Sequence, residues 1–192
     1  MKILLALALL LLPTLAVAAI LPPAQTWPID PDRSQVQFSV RKLWFAHERG
    51  TFPQLHGTLR RTDGRTGPDL MEVDATVEVA DLRMVDPDHR ARALGPDFFD
   101  AADFPWIRFE SDTFPLDVLA AGGPVRGMLT LHGARHPVTL ALQASPCPSQ
   151  PLACPIRVRG TILRTNFGMQ ALRGVLANRV ELDLRIMLGA GN

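Results

Sequence analysis

Apolar and polar residues alternate along much of this 192-residue chain. The pattern is clearest in residues 71–79, where Met, Val and Ala positions alternate with Glu, Asp and Thr. A period of two is typical of β-strands that bury one face. It predicts strands within residues 36–40, 71–79, 107–111, 129–131, 138–142, 156–162 and 180–188. One apolar face per strand indicates a single enclosed interior.

The predicted strands are joined by short connections rich in Gly, Pro and Asp, without the helical crossovers that parallel strands need. We therefore predict an all-β protein with minor α content, an antiparallel up-and-down β-barrel of about eight strands with short helical segments between strands. Two packed sheets are the alternative, because alternation does not distinguish a sandwich from a closed sheet.

Residues 86–102 break the alternation, with Gly95 and Pro96 near the middle of the segment. They are predicted to form two short helical turns around a break. The segment forms either a lid over one end of the barrel or a surface crossover that packs its phenylalanines into the core.

The N-terminus has the pattern of a secretory signal peptide: Lys2, an apolar run over residues 3–12, and the cleavage site Ala16-Val17-Ala18. We predict that residues 1–18 are removed and that residues 19–192 form one periplasmic barrel domain. An uncleaved membrane anchor is the alternative, because the apolar segment is almost long enough to span a bilayer. Arginines and acids nearly balance in the remaining chain, so no nucleic-acid partner is expected.

The chain has two cysteines, Cys147 and Cys154, and they lie in a proline-rich segment. In an oxidising compartment they are expected to form a disulfide that closes a short loop. A redox-active pair is the alternative, although the two-residue spacing of thioredoxin-like motifs is absent.

The sequence gives little sign of catalytic chemistry. No serine lies in a nucleophile-elbow motif, and there is no dinucleotide or phosphate-binding fingerprint. His132 and His136 flank a predicted turn, but no third ligand follows at a recognisable metal spacing. We therefore predict a protein that is not an enzyme, with no catalytic residues and no metal.

Several motifs in a fixed order carry a resemblance to a known family. They are Ile29-Asp30-Pro31-Asp32-Arg33-Ser34, Asp97-Phe98-Phe99-Asp100 with Phe104-Pro105, and Arg164-Thr165-Asn166-Phe167-Gly168-Met169. Over residues 27–188 the chain resembles the YceI-like family of polyisoprenoid-binding periplasmic proteins. The resemblance implies an extended lipocalin-like barrel with an apolar tunnel. The chain departs from the family pattern at Arg33, at residues 41–43 and at residues 89–92.

The resemblance also implies which side chains meet a ligand. Candidates for contact with an apolar chain are Phe38, Val40, Val77, Phe98, Phe99, Phe104, Phe109, Leu129, Leu131, Leu140, Phe167 and Met169. Candidates for a phosphate or carboxylate head group are Arg90, Arg92 and Arg164. Each apolar candidate could instead be ordinary core, and each arginine could be solvated.

The expected function is a carrier or sequestering protein for an isoprenoid-like or other long-chain lipid, without covalent chemistry. No cofactor is expected beyond a non-covalent isoprenoid, quinone or fatty-chain ligand. The alternatives are an enzyme that acts on a lipid or quinone and a cargo-free structural or partner-binding barrel. Further expectations are transient membrane contact and a homodimer. Trp44-Phe45 is either an exposed patch for membrane or partner contact or, alternatively, is buried under the adjacent loop.

Overall fold

The computed structural model describes residues 25–43, 46–62 and 69–191. The predicted signal peptide and the Trp44-Phe45 patch lie outside the described residues. Within those residues, none of the helices is both long enough and apolar enough to cross a membrane.

The described residues form one antiparallel sheet of eleven strands. The strands are β1 Thr26–Pro28, β2 Gln35–Lys42, β3 Ala46–Phe52, β4 His56–Thr62, β5 Leu70–Glu78, β6 Trp106–Ser111, β7 Phe114–Pro115, β8 Gly123–Leu131, β9 Ala134–Leu142, β10 Ile156–Leu163 and β11 Leu176–Ile186. Two α-helices, α1 Pro87–Leu94 and α2 Val118–Ala121, lie between them, together with 3₁₀ turns at Pro31–Arg33, Val79–Asp81, Pro151–Ala153 and Arg164–Phe167.

The strand order shows how the sheet curls into a barrel. The order is β1-β4-β5-β6-β8-β9-β10-β11-β2-β3, with β7 attached to β5. β1 leads into β2 and β3 leads into β4 through short connections, so each pair follows one interrupted strand of the wall. Counted in this way, with the two-residue β7 set aside, the wall has eight strands. The predicted antiparallel barrel of about eight strands is confirmed, and the two-sheet alternative is not.

The sequence pattern missed β3 and β4, for a physical reason. The inward-facing positions of β3 include Glu48 and Gly50, which face Val40 and Phe38 on β2. A Cβ atom at Gly50 would lie 2.4 Å from the Phe38 ring. Gly50 makes room for that ring, so the apolar alternation disappears from the sequence of β3 although its inward face is maintained.

Different elements cover the two ends of the barrel. Lys42, Leu163 and Leu176 lie at the end that carries α1, which we call the α1 end. Gln35 and Ile156 lie at the opposite end, which α2 and the Cys147–Cys154 loop cover. We call it the disulfide end.

The segment between β5 and β6 covers the side of the barrel between β3 and β6. Thr51 on β3 and Arg83 exchange two backbone hydrogen bonds, of 2.9 and 2.8 Å. Asp86 caps α1 by accepting hydrogen bonds from the backbone N–H groups of Asp88 and His89. Only the first of the two predicted helical turns is a helix, because after Gly95 the chain continues as turns, with Asp100 at a φ of 49°. The segment packs Phe99 inward, as the crossover alternative expects, and it also brings His89 and Arg92 to the α1 end.

The predicted disulfide is present, between Cys147 and Cys154 with Cα atoms 6.2 Å apart. Its loop packs Leu152 against the core cluster at the disulfide end. Replacing both cysteines by serine is expected to lower the free energy of unfolding by about 2–3 kcal/mol, because the crosslink restricts the unfolded chain. Denaturant titration of the double variant against the parent protein measures this. A shift below about 0.5 kcal/mol would contradict the expectation.

Candidate ligand-binding site

The barrel encloses an elongated cavity of about 350 Å³. This volume falls in the range of small-molecule sites, roughly 300–1,000 Å³. Lining positions on β11 run from Leu176 to Ile186, which is about 33 Å of strand at roughly 3.3 Å per residue. The cavity therefore follows the strands along most of the length of the wall.

The cavity wall is apolar over almost its whole length. Thr76 and five ionisable side chains are the exceptions among the lining residues. Inward positions of β2 and β11 alternate as the sequence pattern predicts, and small or medium side chains such as Ala75, Val138 and Val180 leave space between them. Such a wall offers no hydrogen bonds to a polar molecule but is suited to a hydrocarbon chain.

Most of the predicted contact residues lie on this wall. The lining includes Phe38, Val40, Val77, Phe98, Phe99, Phe109, Leu129, Leu140 and Met169. Phe99 forms edge-on contacts with Phe38 and Phe52, at centroid distances of 5.8 and 5.7 Å. This aromatic cluster fixes the crossover segment against β2 and β3.

Phe104, Leu131 and Phe167 are placed outside the cavity lining. Phe104 packs on the His132 ring at a centroid distance of 5.2 Å and against Gly133, at the turn between β8 and β9. Leu131 and Phe167 are buried in one core cluster, where Phe167 contacts the His136 ring. Phe104 and Phe167 therefore pack on histidine rings, and Leu131 packs in the core, beside the cavity rather than in its wall.

Gly160 on β10 also lies outside the lining. A Cβ atom there would be 2.4 Å from Leu140 Cδ2. Leu140 therefore occupies the space that the missing side chain leaves, and a large residue at Gly160 would disturb the wall itself.

Five ionisable side chains reach the cavity, and they are brought together at the α1 end: Lys42, Glu48, His89, Arg92 and Arg164. Lys42 continues the inward alternation of Val36, Phe38 and Val40 along β2. Glu48 lies opposite Val40 on β3, so it too faces inward. The same period-two pattern could have identified Lys42, which the sequence analysis did not single out.

Arg164 is the most deeply buried of these groups, with 4% of its surface exposed. Its Nε and Nη1 atoms donate to the carbonyls of Ala177, Met169 and Ala171 at 3.1, 2.8 and 2.7 Å, and Nη2 donates to Leu176 at 3.3 Å. Within the described residues no carboxylate pairs with it. Burial, and then the charge of Arg173, lowers the pKa of Arg164. The group stays charged at neutral pH, since a guanidinium pKa starts far above neutrality.

The other two arginine candidates have different positions. Arg90 donates to the carbonyl oxygens of Leu82 and Ala80, at 2.6 and 2.8 Å, and it lies outside the cavity lining. It holds α1 to the preceding 3₁₀ turn. Arg92, two residues further on, is exposed and reaches the cavity.

A polar contact joins α1 to β3 above the cavity. His89 Nδ1 lies 3.1 Å from Glu48 Oε1 and 3.8 Å from Asp86 Oδ2. The backbone hydrogen bond from His89 lowers the pKa of Asp86, and Lys42 adds a smaller effect in the same direction. A lowered carboxyl pKa means that this cap stabilises the fold above the unfolded-state pKa and loses that effect as the pH falls through the folded-state value. His89 is thus part of the polar end of the cavity.

The described residues contain no cluster of three or more His, Cys, Asp or Glu side chains that could hold a metal ion. His132 Nδ1 lies 2.9 Å from the Phe167 carbonyl oxygen, and His136 packs on the Phe167 ring. Both histidines thus have structural partners at the turn between β8 and β9.

The comparisons with known proteins agree with this arrangement. A model of the YceI-like domain family matches residues 27–188. The chain belongs to the YceI-like family. A comparison with curated proteins finds no match.

Solved structures share the YceI-like fold at low sequence identity. A polyisoprenoid-binding domain from Saccharophagus degradans, implicated in plant cell wall breakdown, is 16% identical with a TM-score of 0.63, covering 85% of this chain and 98% of that domain. BcnA of Burkholderia cenocepacia is 19% identical with a TM-score of 0.64, covering 84% and 99%. A YceI protein of Campylobacter jejuni is 15% identical with a TM-score of 0.60, covering 78% and 90%.

Two of the three places where this YceI-like chain departs from the family pattern contribute to the polar end of the cavity. Lys42 belongs to one of them, and His89 and Arg92 belong to the other.

Proposed function

We propose that this protein is a periplasmic carrier or sequestering protein that holds an isoprenoid-like or other long-chain lipid in the barrel cavity, without covalent chemistry. The observation that supports this most directly is the elongated apolar cavity, in which the ionisable lining groups of the described residues all lie at one end. The polyisoprenoid-binding domain of similar fold supports the same class of ligand.

The polar end favours a cargo with an anionic head group. Lys42, Arg92 and Arg164 place three cations there against one carboxylate, Glu48, which His89 already contacts. A carboxylate or phosphate suits this end, because charge-assisted hydrogen bonds to arginine are strong and directional. Arg164 donates one N–H fewer than the five that a guanidinium carries, so one remains for a head group.

The apolar wall supplies the affinity. Burying about 20 apolar carbons would contribute on the order of 15 kcal/mol before costs. Association and the ordering of a flexible chain remove much of that amount. The remainder allows tight but reversible binding, as a carrier requires.

Such a protein must also make transient contact with the membrane that supplies or receives the lipid. A homodimer would be compatible with this uptake and release of lipid.

Native mass spectrometry with lipid extraction, on protein purified from the periplasm of its own source, tests the proposal. We expect a copurifying molecule with one long apolar chain and a carboxylate or phosphate head. Protein that carries no apolar molecule, and takes up none when offered fatty acids or polyprenyl phosphates, would contradict it. Turnover of the offered lipid would instead favour the enzyme alternative.

A further inference from the structure

We propose that the α1 end docks reversibly on a bilayer that carries anionic phospholipids, so that the polar end of the cavity faces the lipid head groups. The inference rests on the proposed function, because it assigns the direction in which a lipid cargo enters and leaves. It commits the protein to one membrane-facing surface, made of exposed apolar side chains and of cations that pair with no carboxylate of the described residues.

The exposed apolar side chains are concentrated at that end. Among the described residues, the large apolar side chains with the highest exposure are Leu43, Val85, Trp106, Leu163 and Leu172. Leu43 follows the last residue of β2, Leu163 ends β10 and Leu172 precedes β11, all at the α1 end. Trp106 begins β6 at the same end, and Val85 precedes the cap of α1. Exposed apolar groups gathered in one region mark an interaction site.

Leu43 and Leu172 are the clearest of these tips. Each has a φ of 53°, a left-handed conformation that leucine rarely adopts. The Leu43 N–H donates to the Val175 carbonyl oxygen at 2.7 Å, which ties the two loops together. Leu43 is 54% exposed, so burial in the barrel does not compensate the strain at this position. Insertion of the Leu43 side chain into a bilayer interface would compensate that strain.

Cations surround these tips. Arg41 and Lys42 end β2, and Arg173 and Arg179 flank the start of β11. None of the four has a carboxylate oxygen within salt-bridge distance among the described residues. Cations of this kind next to a membrane are attracted to an anionic lipid surface.

The acids at this end are already engaged or lie on one side of it. Glu48 contacts His89, and Asp86 accepts from the backbone of α1 and lies near Lys42. Asp88 is exposed on the first turn of α1. Glu78 on β5 lies opposite Trp106, and Asp97 and Asp103 are exposed in the segment that leads to β6, so the negative groups lie on the α1, β5 and β6 side of this end. On the other side, the β2 and β11 loops present cations that pair with no carboxylate of the described residues, next to Leu43 and Leu172. Anionic lipid head groups complement that combination.

Among the described residues, the disulfide end has exposed cations but lacks highly exposed large apolar side chains. Exposed arginines such as Arg157 and Arg185 lie there, but none of the highly exposed large apolar residues of the described chain does. The α2 residue Leu119 is 3% exposed and Leu152 packs on the core. The difference between the ends supplies a matched control, because charge can be removed at either end.

Cosedimentation with vesicles tests the docking surface. The probes are vesicles of phosphatidylcholine alone and vesicles that also contain phosphatidylglycerol. We expect the parent protein to bind the anionic vesicles at least tenfold more tightly, with binding weakened by added salt. Arg41→Gln with Arg173→Gln is expected to lose about tenfold or more of that affinity. Leu43→Asn is expected to lose several-fold and to fold normally, because asparagine tolerates a positive φ.

The matched control is Arg157→Gln with Arg185→Gln, which removes the same charge at the disulfide end and is expected to bind vesicles like the parent. Equal losses at both ends, equal binding to both vesicle types, or no vesicle binding by a chain that instead dimerises would each overturn the docking proposal.

Native mass spectrometry of the same samples separates the docking proposal from the proposed carrier function. Protein that retains cargo but ignores vesicles contradicts docking alone, whereas protein that binds vesicles but never holds lipid contradicts the carrier function.

Discussion

Val138→Phe is expected to abolish most lipid retention while the barrel remains folded. Val138 lines the cavity from the middle of β9. The residue opposite it on β8 is Gly127, and the Phe109 ring already fills the space beside that glycine, so an added ring can only extend into the cavity. A phenyl ring at position 138 would extend into the cavity that the cargo requires. Overpacking usually costs about 1–3 kcal/mol in a filled core, but the open cavity should reduce that cost.

We expect lipid affinity to fall by at least tenfold, which corresponds to about 1.4 kcal/mol. The measurements are the fraction of lipid-loaded protein by native mass spectrometry and displacement of a fluorescent fatty acid. The melting temperature should change by only a few degrees, because a stability change of about 1 kcal/mol shifts the transition of a chain of this size by roughly 2–4 °C.

Thr139→Phe is the matched control, since it adds the same ring to the next residue of the same strand. Thr139 is exposed and lies on the outer face of β9. Its lipid binding should equal that of the parent protein. If Val138→Phe binds lipid as well as Thr139→Phe does, the cargo does not occupy the barrel interior.

The wall that these variants test could be predicted from the sequence because it depends on local repetition. β5 alternates over its nine residues and β11 alternates from Val180 to Ile186, and each inward side chain of these two stretches is apolar. The alternation follows from burial of one face, so it reports both the strand and its orientation.

The missing strands and polar residues could not be predicted in this way because they depend on contacts across the barrel. A glycine can stand at this inward position of β3 because the Phe38 ring on β2 fills the space that a side chain at Gly50 would take. Glu48 is tolerated on the inner face because α1 brings His89 within 3.1 Å of it. A single sequence does not contain the crossover geometry that produces either contact, so β3 and the ionisable end became evident only in three dimensions.

Arg164 shows the same dependence on distant structure, because its partners are backbone carbonyls of a loop that follows it. The sequence suggests a solvated cation or a head-group contact, whereas the folded chain buries the guanidinium and uses it to hold residues 169–177. The contact with a head group stays a prediction. The structural role has a separate and larger expected effect.

Arg164→Met is expected to lower the free energy of unfolding by about 3 kcal/mol, because it leaves several carbonyl groups without their donor and a buried unsatisfied group costs about 1–3 kcal/mol. Denaturant titration and thermal melting measure the loss, which should lower the melting temperature by roughly 6–12 °C. Arg164→Lys should recover only part of the stability, since an ammonium group cannot reproduce the planar fork of donors.

Arg173→Met is the control for this experiment, because it removes an exposed cation close to Arg164 without removing those four hydrogen bonds. Its stability should stay within about 0.5 kcal/mol of the parent, as surface substitutions usually do. Should Arg164→Met prove as stable as Arg173→Met, the carbonyl network would not hold the loop. The buried charge would then be better explained by ligand binding alone, and loss of lipid affinity without loss of stability would identify that case.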